Sequence, residues 1–166
     1  NVKILKIILI SAGLLVLLAI GLFFGAIWYD SWQDSKFYDV EIPEGQNYQK
    51  PTEYLDNKQI DSLKALKVNS EKIEIIGTGY RGYDFFMWHK PTEKGEIYIK
   101  AFETTENRRL SEWKLTNRTK NTITELSNDY ELFTGRTVID EGTFEKYYPA
   151  RFELWFKSAN DGTEKK

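Results

Sequence analysis

Few residues in this chain are equipped for chemistry, and their spacing narrows what they can do. His89 is the sole histidine and there is no cysteine. That excludes a pair of imidazoles, a thiolate nucleophile, a disulfide and any Cys-ligated zinc or iron–sulfur centre. Asp140, Glu141 and Glu145 are the residue types a glycosidase pairs across its scissile bond. Acids beside Gly142 also read as a solvated turn, which is the simpler reading. A Ser/His/Asp arrangement would have to use His89, and no nucleophile-elbow sequence surrounds any serine. No DxDxDG loop is present for calcium or magnesium. Asn117-Arg118-Thr119 is a glycosylation sequon, with meaning only in a eukaryotic secretory pathway. The expectation is a protein without catalytic residues, metal or cofactor.

The string GTGYRG, Gly77 to Gly82, has the spacing of a dinucleotide fingerprint, with Glu103 about twenty residues beyond its last glycine. That chemistry needs a helix opening at the third glycine, so that its first amides face a pyrophosphate. YDFFMWHKP follows instead, rich in strand formers and halted at Pro91, which leaves no room for the helix. The spacing therefore predicts a glycine-softened turn or bulge between two antiparallel strands.

The strand after that turn carries five aromatic rings in Tyr80–Lys90. Alternation places Tyr83, Phe85, Met87 and His89 on one face and Asp84, Phe86, Trp88 and Lys90 on the other. With the first face in the core, Phe86 and Trp88 point outwards, as do Tyr98, Phe102 and Trp155 from later strands. Either the upstream segment covers these rings, or they form a patch for a protein or membrane surface or a platform for sugar stacking. His89 reads as an edge residue held by hydrogen bonding.

Further period-two runs occur at EKIEIIG, EIYIKAFE, TKNTITEL, DYELFTGRTVI and ARFELWFK, separated by short turn signals. Six or seven short strands without long helices predict an all-β domain over residues 71–158. An antiparallel β-sandwich of immunoglobulin-like or fibronectin-like topology is the leading expectation. Asp161-Gly162 signals a hairpin turn. The polar tail 159–166 is then either a solvated end or the stub of a pairing strand that continues beyond it.

Ahead of this domain, residues 7–28 form an apolar run without a charge, in which only Ser11 has a polar side chain. Its length suffices to cross a bilayer and exceeds the roughly 7 to 15 apolar residues of a signal peptide. It ends in bulky Ile27, Trp28 and Tyr29 and is read as an uncleaved single span. Lys3 and Lys6 in the short segment 1–6 precede it, whereas Asp30, Asp34, Asp39 and Glu41 follow with one lysine, Lys36. This bias puts the N-terminus in the cytoplasm and the domain on the periplasmic or extracellular side of a bacterial plasma (inner) membrane. Trp28, Tyr29 and Trp32 would sit in the interfacial belt. Gly21 and Gly25 form a GxxxG that lets a second helix approach.

Residues 29–70 mix acids, aromatics, Pro43 and Pro51, and read as a juxtamembrane strap or linker. Ile60, Leu63 and Leu66 allow a short helix over 59–67. With 23 basic and 25 acidic residues and a net charge of −2, nucleic acid is not an expected partner. The expected partners are the lipid bilayer and other membrane-protein subunits. The function read from these features is a non-catalytic accessory or structural subunit of a membrane-protein complex. The alternative is a membrane-tethered carbohydrate-binding module whose glycan stacks on Trp88 or Trp155.

Overall fold

The computed structural model describes residues 2–142 and 147–166. Helix α1 (Val2–Ser35) is continuous over 34 residues, or about 51 Å at the standard rise. Leu, Ile and Ala propagate it and no proline interrupts it. Its apolar side chains are exposed on every side, unlike the one-sided stripe of a helix packed on a core. It is long and apolar enough to cross a membrane. It also runs beyond the uncharged stretch, through Asp30 and Asp34, before successive i to i+3 turns at Lys36, Phe37 and Tyr38 close it.

The rest is β-rich and built from two sheets. The first has the order β1 (Thr52–Glu53), β2 (Lys72–Gly79), β3 (Gly82–His89) and β7 (Glu131–Val138). The second has the order β5 (Arg109–Leu110), β4 (Gly95–Glu103), β8 (Ala150–Ser158) and β9 (Glu164–Lys165), with β6 (Asn121–Ile123) also on β4. All pairings are antiparallel except β1 with β2, which is parallel. The first sheet is therefore mixed, where uniform antiparallel pairing was expected. The cause is the strap: Thr52 and Glu53 arrive extended alongside Ile76 and Gly77. The tail beyond Gly162 also pairs, as β9 returns along β8.

Both sheets fill one core. Phe85 and Met87 from β3 meet Ile97, Ile99 and Ala101 from β4 and Leu154 from β8, with Leu115 and Phe37 closing its ends. The Phe85 and Phe152 ring centroids lie 5.8 Å apart. A second core lies on the other face of the first sheet. Ile76, Phe86 and Trp88 are buried there beneath Leu55, Ile60, Leu63 and Val68 of the strap, beside Leu132. Four successive residues of β3, Phe85–Trp88, are thus buried, which is why they read as an unbroken apolar run.

Helix α2 (Asn57–Lys64) lays Ile60 and Leu63 on that second core. It starts two residues before the expected 59 because Asp56 and Gln59 form a reciprocal capping box, at 2.8 and 2.9 Å. Helix α3 (Glu112–Arg118) was not expected. Together with β5 and β6 it protects one edge of β4. At the gap between them the Ile99 amide donates to Thr119 Oγ1 at 2.8 Å, and that hydroxyl donates to the Leu115 carbonyl at 2.6 Å. Gly135 permits the close approach of β7, since a Cβ there would lie 2.6 Å from Thr119 Cα. TKNTITEL consequently holds only the three-residue β6, because its first residues finish the α3 turn.

Candidate functional site

The residues singled out on α1 stay open. A Cβ added at Gly21 or Gly25 would meet nothing within 4 Å. Trp28, Tyr29 and Trp32 are exposed; the Tyr29 and Trp32 rings are 5.9 Å apart and the Lys36 ammonium lies 3.9 Å from the Trp32 ring.

The five rings expected to point outwards divide between the two sheets. Phe86 and Trp88 lie under the strap, with Trp88 only 1% exposed. Tyr98, Phe102 and Trp155 lie on the outer face of the second sheet, where Tyr98 opposes Trp155 and Phe102 opposes Arg151, but Tyr98 is buried rather than open, at 3% exposure, because its neighbours and Glu164 of β9 close over it. That face is internally paired. Glu164 accepts from the Tyr98 hydroxyl at 2.5 Å and from Lys100 at 2.6 Å, and Lys100 lies 3.7 Å from the Trp155 ring. Burial, and then the Glu164 carboxylate, push the Tyr98 phenol upward. Burial also pushes Glu153 upward, but Lys166, Trp155 and Arg151 outweigh it and hold that carboxyl below its ordinary range.

The other motifs have structural roles. GTGYRG forms the β2–β3 hairpin: Gly79 pairs with Gly82 across Tyr80 and Arg81, and the register shifts between Gly77 and Gly79. An antiparallel strand stands where a dinucleotide site needs a helix. His89 Nδ1 lies 2.6 Å from Glu71 Oε1, and its ring stacks on Phe156. Glu141 accepts from the Ser111 amide and hydroxyl at 2.8 and 2.7 Å. Asp140 pairs with Lys114 at 2.5 Å. Glu145 lies outside the described residues. Asn117 is on α3 and donates to the Trp113 carbonyl.

Where α1 meets the domain, the chain is clamped. Asp34 pairs with Arg81 of the hairpin at 3.2 Å, and Phe37 enters the core with its ring 4.8 Å from Tyr148. Arg108 donates to the Lys36 carbonyl, while Thr104 and Thr105 bond the Glu41 backbone. Glu103, fully buried, organises this loop by accepting from the amides of Thr105, Glu106 and Arg108 at 2.7 to 2.9 Å. Burial pushes its carboxyl upward, yet these amides and the Arg108 side chain outweigh it and lower it overall.

Beside the clamp lies a cleft of about 960 Å³ that the sequence reading missed. The strap, the β2–β3 hairpin and the segment leading into β8 form its walls, together with Leu110, Ile139 and Phe152, which belong to or pack against the core. Six tyrosines line it: Tyr48, Tyr54, Tyr80, Tyr83, Tyr147 and Tyr148. Tyr147 donates to Glu53, which with burial pushes its phenol up to about 12. Burial first, and then nearby carboxylates, raise Tyr83 and Tyr148. These phenols stay protonated, so the wall presents ring faces and neutral hydroxyls, suited to stacking and hydrogen bonding. The only hint in the sequence is that three separate segments, YQKPTEY, GTGYRGY and KYYP, each pair tyrosine with turn formers or lysine. No protein-family model, curated protein or solved structure matches this chain.

Proposed function

We propose that this protein is a non-catalytic accessory subunit of a membrane-protein complex, held by α1 and presenting its β-domain for protein–protein interaction. The carrying observation is that α1 is exposed from Val2 to Trp32, Gly21 and Gly25 included, while its last turn is fastened to the domain through Asp34, Phe37 and Arg81. A helix apolar all round needs lipid or other spans about it, and open glycines allow another span to pack closely. Lys3 and Lys6 before the span, against the acids after it, support an N-terminus in the cytoplasm and a domain on the periplasmic or extracellular side of a bacterial inner membrane. A β-sandwich reading of the two sheets is supported by the core they fill together. The immunoglobulin-like or fibronectin-like form rests on strand number and largely antiparallel pairing.

The test is extraction in mild detergent through a tag at the C-terminal end, followed by mass spectrometry. A stoichiometric membrane partner is expected, and Gly21→Leu with Gly25→Leu should release it. Recovery of the protein alone overturns the reading.

A further inference from the structure

We propose that the tyrosine cleft is a binding site for an uncharged saccharide chain of a few sugar units. At about 960 Å³ it lies at the upper end of the roughly 300–1,000 Å³ of ligand pockets, far larger than an ion or a single small group requires. The proposal moves sugar recognition away from Trp88, which is buried, to rings that are open. Tyr54, for example, is 70% exposed.

Charge selects the ligand class. Among the described residues, every charged side chain that lines the cleft already has a contact within the protein. Arg81 is held by Asp34, Glu141 by Ser111, Glu74 by Lys72, Glu53 by Tyr147, and the Lys50 ammonium lies 4.4 Å from the Tyr147 ring. A charged ligand would have to compete with these contacts. A sugar does not: its C–H faces stack on tyrosine rings, and its hydroxyls donate to the remaining carboxylate lone pairs and exchange hydrogen bonds with phenols. A peptide added to the sheet edge would need a longer run of backbone than the two residues of β1 supply.

Backbone conformation adds an independent reason. Tyr54 and Tyr80 adopt left-handed backbone, at φ 55° and 50°, a region that glycine occupies without strain and bulky residues avoid. Both positions nevertheless carry a ring on the cleft wall. Gly79, just before Tyr80, leaves room for the other ring, for a Cβ there would lie 2.5 Å from the Tyr54 hydroxyl oxygen. The two-residue hairpin itself demands left-handed backbone at Tyr80 and Arg81, whereas Tyr54 lies outside any hairpin, and strain kept there marks a position where the ring itself is needed.

The test uses the full chain in a detergent without a sugar head group, first on an array of neutral and acidic oligosaccharides and peptides, then by calorimetric titration with cellotetraose, chitotetraose and maltotetraose. Neutral glycans should be retained, with at least one tetrasaccharide binding below about 1 mM. Tyr54→Ala and Tyr147→Ala should each weaken binding about tenfold, whereas Tyr54→Phe, which keeps the ring, should stay within about threefold. If Tyr147→Ala lowers the melting temperature, the Tyr54 pair of variants decides alone. Absence of neutral-glycan binding, preference for acidic glycans or peptides, or affinity indifferent to Tyr54→Ala would each overturn the proposal. The outcome does not depend on whether α1 has a partner helix, so the two tests fail separately.

Discussion

Replacing Trp88 by alanine tests the second core directly. The indole is 1% exposed and sits among Ile76, Phe86, Leu55, Ile60, Leu63, Val68 and Leu132, with the Lys72 ammonium 5.9 Å from its ring. Truncation removes the burial of a whole indole and leaves a cavity between β3 and α2, which such a short helix can only partly fill. Substitutions of this kind cost roughly 3–5 kcal/mol, a large share of the roughly 5–15 kcal/mol that holds a domain folded. For a domain of this size the melting temperature should fall by roughly 10–20 °C. The assay is urea and thermal unfolding of the full chain in detergent, followed by far-ultraviolet circular dichroism of the β signal. Trp113, on α3 and 69% exposed, supplies the control, and Trp113→Ala should change stability by less than about 0.5 kcal/mol. If Trp88→Ala behaves like Trp113→Ala, the strap does not seal that face and the ring is a surface residue after all.

Acid should weaken the domain through Glu103 and Glu153, whose carboxyls are held below their ordinary value of 4.5. A depressed folded-state value means that the stabilisation is complete above about pH 4.5 and is lost as pH falls through the folded values. Glu103→Gln should therefore be less stable at neutral pH and show a flatter decline from roughly pH 5 to 3 in unfolding titrations. Gly135→Ala should cost roughly 1–3 kcal/mol, because the new methyl meets backbone at Thr119 that cannot turn aside; chemical denaturation measures it.

Much of the β region was legible because its strands alternate and its turns are chemically explicit. GTGYRG announced a hairpin once the missing helix was noticed, and EIYIKAFE and ARFELWFK proved to be registered neighbours from Gly95 to Glu103. What escaped was long-range. Alternation assigns one buried face to β3, but it cannot reveal that Ile60 and Leu63, far upstream in the sequence, cover the other. Seven-residue α3 has a single buried contact, Leu115, too few to set up a helical period. The cleft draws its rings from segments around positions 48–54, 80–83 and 147–148, and only folding makes them neighbours.

The unbroken course of α1 fixes an azimuth as well as a height. Nine residues separate Gly25 from Asp34, and at 3.6 residues per turn that places them about 180° apart around the axis. Asp34 is where the hairpin grips the helix, so that grip and Gly25 occupy opposite faces of it. A neighbouring span seated on Gly25 would leave that grip undisturbed.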